Sequence, residues 1–109
     1  MNLELAARNV AGNMKSEEYK FDVTILLLIA NVITGIVPII QDWCNKTPEE
    51  TVEMAKNPTF LQRRVLAWQA RKVLGRRAYR DVGTDVVDAI IKTGAETSVE
   101  DMTDLYNDV

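Results

Sequence analysis

An all-α bundle of about five or six helices is the fold class that this sequence predicts, and three observations predict it. Apolar residues recur at three- and four-residue spacing along most of the chain. No segment alternates apolar and polar residues between hairpin turns. Cap signals, a Ser, Thr or Asn followed closely by Pro or Glu, punctuate the chain at helix-length intervals. The 109 residues are 47% hydrophobic and 27% charged, which suits one helical domain over 1–109 with a packed core. Its centre is expected to be "VTILLLIANVITGIVPII" at 23–40, eighteen residues without a charge.

The elements follow in order. In "NLELAARNVAGN" (2–13), Leu3, Ala6, Ala7 and Val10 share one face of a short helix, and Gly12 with Asn13 stops it. Ser16 is the expected cap of the second helix, with Glu17 and Glu18 at the positive end of its dipole. That helix carries the uncharged run, and Pro38, which has no N–H to donate, should kink or end it soon after Gly35. "TPEE" at 47–50 opens a third helix, with Thr47 as cap, Pro48 in the first position and Glu50 completing a capping box. "NPTF" at 57–60 repeats the logic with Asn57 as cap and starts a longer helix over 60–74. Gly75 and Gly83 are expected breaks around the next connection. A helix over 84–93 closes at Gly94, and Ser98 caps the last, with Val99, Met102, Leu105 and Val109 along one side.

The uncharged run has a direction. Thr24, Asn31 and Gly35, spaced by seven and four, lie on one narrow stripe that Lys20 continues, and the rest of the surface is mostly Val, Ile and Leu. Such a helix must be covered on most sides. Leu27, Asn31, Ile33 and Gly35 are the residues expected to make the central packing. A bilayer is the alternative cover, because eighteen residues at 1.5 Å each nearly match a hydrocarbon core of ~30 Å. The twelve Leu, Ile and Val residues would favour insertion by roughly 4–7 kcal/mol, before Asn31, Gly35 and Pro38 subtract from it. Trp43, beside Cys44, would suit either a membrane interface or the rim of a core.

Charge is segregated. Residues 57–80 hold seven basic residues and no acidic one, namely Arg63, Arg64, Arg71, Lys72, Arg76, Arg77 and Arg80; residues 81–109 hold eight acidic residues against Lys92 alone. Opposite blocks of +7 and −7 suit two surfaces that meet, within one chain or between copies; nucleic acid or anionic lipid is the other class of partner for the basic block. Within 60–74, Leu66, Ala70, Val73 and Leu74 form one apolar face and Leu61, Val65 and Trp68 a second, so this helix is expected to be sandwiched and withheld from a DNA groove. Arg76, Arg77 and Arg80, beyond Gly75, are then the candidate basic surface, and Asp101, Asp104 and Asp108 the candidate acidic one.

Several functions are disfavoured by composition. With no histidine there is no His-based triad and no histidine zinc site. Cys44 is the single cysteine, so no disulfide forms within the chain, and a reducing compartment is the expectation. The acidic stretch 81–85 lacks the alternating oxygen ligands of a calcium loop, and no Walker-type glycine loop occurs. No catalytic, cofactor or metal residue is expected, and no secretory signal precedes the apolar run. The reading is a non-enzymatic helical protein that works by assembly, as a homo-oligomer or a component of a larger particle such as a virus or phage, cytoplasmic or within that particle. The alternatives are a small membrane protein spanning at 23–40 with a basic cytoplasmic helix, and a nucleic-acid-binding helical protein.

Overall fold

The computed structural model describes residues 2–20, 22–44 and 47–108, with the side chains at 40–44, 48, 51, 55, 106 and 108 outside that description. Six α-helices follow one another: α1 (Leu3–Asn13), α2 (Val23–Cys44), α3 (Pro48–Lys56), α4 (Phe60–Ala78), α5 (Thr84–Glu96) and α6 (Val99–Asp108). A π-helical turn, Tyr79–Gly83, joins α4 to α5. The fold is all-α, and no strand occurs among the described residues. α2 lies against α1 and α4, with α3 at its side, while α5 packs on α1, α3 and α4 and α6 rests on α3. One hydrophobic cluster draws side chains from every helix.

Local signals explain where five of the six helices begin, and α5 runs on from the π-helical turn without a side-chain cap. The Asn2 side chain accepts from the Leu5 N–H at 2.7 Å and caps α1. Thr47 accepts from the Glu50 N–H at the start of α3, and Ser98 from the Asp101 N–H at the start of α6. Two caps differ from the sequence expectation. α2 starts not at Ser16 but after Asp22, whose carboxylate accepts from the Ile25 N–H at 3.1 Å. α4 starts after Thr59, which forms a reciprocal capping box with Gln62, while Asn57 ends α3. In both cases a short non-helical segment precedes the helix, and the polar residue nearest the helix takes the cap.

The glycines and Pro38 also divide. Pro38 does not stop α2; its side chain is exposed, so the carbonyl it leaves unbonded one turn earlier is on the solvent side. Gly75 does break α4, with φ +83 and ψ 164. Gly83 does not break the chain. It is helical, and the Tyr79 ring occupies the room a side chain would need, with a ring carbon 2.3 Å from a Cβ built there, so that only glycine fits.

α2 is sheltered by protein along one broad face. Ile25, Ile29, Val32, Ile33, Ile36 and Val37 are buried, Ile29 and Val32 completely. The opposite side is bare: Leu27 is 63% exposed, and Val23, Thr24, Asn31 and Pro38 are exposed too. Leu27 and Asn31 therefore do not make the central packing that the sequence suggested. At about 100° per residue both stand roughly 160° from Ile29, on the far side of the helix. The stripe of Thr24 and Asn31 marks the outside of the bundle. Gly35, at the edge of that stripe, abuts α4: a Cβ there would come 2.0 Å from the Gln69 amide nitrogen, and Gln69 is itself buried. Ile33 is buried in the core. Among the described residues no helix is long and apolar enough to cross a membrane, and the burial of six aliphatic side chains of α2 against other helices gives that helix its cover.

The ends of α1 and α5 are locked together by polar contacts far apart in sequence. The Asp85 carboxylate, in the first turn of α5, accepts from the backbone N–H groups of Lys15 and Ser16, both at 2.8 Å. The Asn13 amide donates to the Thr93 hydroxyl at 2.8 Å, and Thr93 donates to the Ala89 carbonyl at 2.7 Å. Lys56 donates to the carbonyls of Gly94 and Thr97, where the dipole of α5 favours a cation.

Two measurements test this arrangement. In urea unfolding, Ile29→Ala is expected to remove about 2–5 kcal/mol of stability, and Leu27→Ala only about 0.5 kcal/mol or less. Equal losses would contradict the facing of α2. Asp85→Ala should cost about 1.5–3 kcal/mol, because it strips a charged acceptor from two backbone donors. Hydrogen exchange at the Lys15 and Ser16 amides should accelerate in the same variant, and unchanged protection there would refute the clamp.

Candidate protein interface on α4

The inner side of α4 is set by Leu66, Gln69, Ala70 and Leu74, all buried at helical spacing. Of the second apolar strip of the sequence, Val65 is half-buried against the core, while Leu61 and Trp68 stay on the outer side, exposed among the described residues. Leu61 is 55% exposed and Trp68 50% exposed, with Phe60 at 75% at the helix start. α4 is therefore not sandwiched, which corrects the sequence expectation. The bundle has helices enough to cover one side of α4 only, since α2 and α5 meet it from within and the short α3 packs on α5 and α6.

The strip is also basic. Leu61, Arg64, Trp68 and Lys72 follow spacings of three and four and share one line along the helix, with Arg71 beside it. The Lys72 ammonium lies 5.2 Å from the Trp68 ring centroid, and the Arg71 guanidinium 4.8 Å from that of Tyr79. Such contacts at exposed sites are worth about 0.5–1 kcal/mol. They hold Trp68 and Tyr79 half covered by cations and bring Arg71, before the Gly75 kink, onto Tyr79 beyond it.

Past that kink, Arg76, Arg77 and Arg80 are all exposed. Arg80 meets its neighbour Asp81 at 3.9 Å. Among the described residues, Arg63, Arg64, Arg76 and Arg77 have no ion pair, so within one chain these cations do not dock onto the acidic block. That block lies on α5 and α6, where Asp88, Glu96, Glu100 and Asp104 are exposed and Asp101 is half-buried; the Asp108 side chain lies outside the described residues, as do those of Trp43 and Cys44. Val99, 57% exposed, stands among these carboxylates. The candidate basic surface thus extends backwards to Arg64 and Lys72, on either side of Trp68. The signal for them was present in the sequence as the second apolar face, but its exposure could not be read there. Among the described residues, no group of three acidic or cysteine side chains is placed to hold a metal ion.

No known protein family matches the chain, and neither a curated protein nor a solved structure is significantly similar to it.

If the outer strip is free in the monomer, Trp68→Ala should lower the unfolding free energy by about 1 kcal/mol or less, the worth of its contact with Lys72, while Leu66→Ala, on the inner face, should lose about 2–5 kcal/mol. Urea titrations of the two variants decide this, and a large loss for Trp68→Ala would show that the strip is covered.

Proposed function

We propose that the protein is a non-enzymatic assembly unit, in which the α4 strip of one copy seats on the acidic α5–α6 surface of another. The observation that carries this reading is the exposed line Leu61–Arg64–Trp68–Lys72, apolar and cationic together, in a chain whose carboxylates gather elsewhere. Aromatic and Arg side chains are the usual anchors of protein interfaces. The opposite block offers complementary charge around the exposed Val99. The two surfaces differ, so the contact is heterologous and repeats into a ring or an open filament, as a component of a larger particle would require. Apolar anchors supply affinity, and the charges set orientation and encounter rate.

Mixing experiments test the geometry. Trp68→Ala with Arg64→Glu disables one surface, and Glu100→Lys with Asp104→Lys disables the other. Light scattering should find wild type multimeric at tens of micromolar, each variant alone monomeric, and the mixture halted at a one-to-one dimer. A wild type that stays monomeric at low and moderate salt would end the proposal.

A second reading is favoured by Trp68, half-exposed and flanked by cations, which is a stacking platform of the kind that single-stranded nucleic acid uses. It requires affinity for an oligonucleotide that falls steeply as salt rises. No binding at 50 mM salt would remove it.

A further inference from the structure

The helices do not close completely over the core. A cavity of about 90 Å³ sits where all six converge, between Ile36 of α2, Leu66 of α4, Ile90 of α5, and Met102 and Leu105 of α6. Protein interiors are otherwise close-packed, with few voids larger than a water molecule. Small residues leave the space open: Ala6 of α1 and Gly94 of α5 reach its wall without the bulk to fill it.

The wall offers nothing to a polar guest. No charged side chain lines it, and its three polar side chains, Gln62, Thr93 and Thr97, are already engaged. The Thr93 hydroxyl donates to the Ala89 carbonyl and accepts from the Asn13 amide. The Thr97 hydroxyl donates to the Thr93 carbonyl, and the Gln62 side-chain oxygen accepts from the Thr59 N–H in the capping box of α4. Among the described residues, no buried side-chain nitrogen or oxygen is left without a partner. A water there would need two or more polar partners, and a charged or hydrogen-bonding guest would give up its hydration for nothing in return. Space without partners is the condition in which a cavity stays dry and takes up apolar molecules; one of about 150 Å³ accepts benzene or xenon.

The cavity also reaches towards solvent. Part of its lining is half-buried: Met54, Pro58 and Gln62 around the connection of α3 to α4, and Ile90 and Ile91 on α5. Met54 and Met102 are unbranched and polarizable, so their side chains can adapt to a guest.

We infer that the cavity is a binding site for a small uncharged apolar molecule, a hydrocarbon or aromatic ring of about six carbons or fewer. The site stands apart from the assembly surface proposed above. Leu66, on the inner side of α4, lines it, and the outer residues Leu61, Arg64, Trp68 and Lys72 do not.

Benzene, phenol and benzoate are the probes, the same ring without a polar group, with a hydroxyl and with a charge. They are read by the methyl resonances of Met54 and Met102 and by thermal shift. Benzene should move both methyls saturably at millimolar concentration and raise the melting temperature. Phenol should bind roughly tenfold more weakly, because its hydroxyl finds no partner, and benzoate should not bind. Ile36→Phe, checked for folding by circular dichroism, should fill the space and abolish the benzene shifts. Xenon, which has neither polarity nor shape to satisfy, should move the same methyls in the wild type, so the site is tested even if Ile36→Phe does not fold. The inference is overturned if neither benzene nor xenon moves the methyls, if phenol or benzoate binds as tightly as benzene, or if a folded Ile36→Phe keeps the wild-type affinity for benzene.

Discussion

α2 has no charged residue between Asp22 and Asp42, and its inner row of Ile25, Ile29, Val32 and Ile36 has to be kept from water. Each fully buried aliphatic side chain contributes about 1.5–3 kcal/mol, so the other helices are arranged around that row. α1 presents Ala6, Ala7 and Ala11, all buried, and short side chains let two helix axes approach closely. α4 approaches at Gly35, where Gln69 occupies the room that a side chain would need. The Asp85 clamp then fixes the connection between α1 and α2 against α5, so that the two helices cannot slide past each other.

The same constraint creates the exposed surfaces. Six helices of this length cover one face of α2 and one face of α4, and the remaining apolar residues stay outside. On α2 these are Val23 and Leu27; on α4 they are Phe60, Leu61 and Trp68. The Gly75 kink falls within the basic block and leaves Arg76, Arg77 and Arg80 beyond it, and the border with the acidic block falls at Arg80 and Asp81. Charge segregated along the sequence therefore becomes charge segregated by helix, with cations on α4 and carboxylates on α5 and α6.

Helix periodicity and cap chemistry made the fold class legible, because both are local. The caps at Thr47 and Ser98 could be read directly; those at Asp22 and Thr59 were displaced because a non-helical segment intervenes that no periodicity announces. The facing of α2 was harder. On a helix apolar around most of its circumference, a stripe of Thr24, Asn31 and Gly35 fits a polar seam inside as well as a margin outside, and only the neighbours decide. Leu27 was misplaced for that reason. The α4 strip was visible as a second apolar face, but whether a partner in the same chain covers it depends on how many helices remain to do so. Asp85 was illegible as a clamp, because its partners Lys15 and Ser16 lie some seventy residues away.

In the proposed assembly, charge and apolar contact would do different things. An exposed ion pair contributes about 0–1 kcal/mol, and much of that is spent ordering long side chains such as those of Arg64 and Lys72. A buried Trp anchor contributes more, since it removes a large apolar area from water and loses few rotamers. Trp68 would therefore govern how long two copies stay together. The arginines would govern how fast and in which orientation they meet, because long-range attraction acts before contact and is screened over about 10 Å at 0.1 M salt. A surface of cations alone would attract any polyanion. Apolar residues between the cations narrow the choice to a partner with both carboxylates and an apolar point, and the region of α6 around Val99 has that composition.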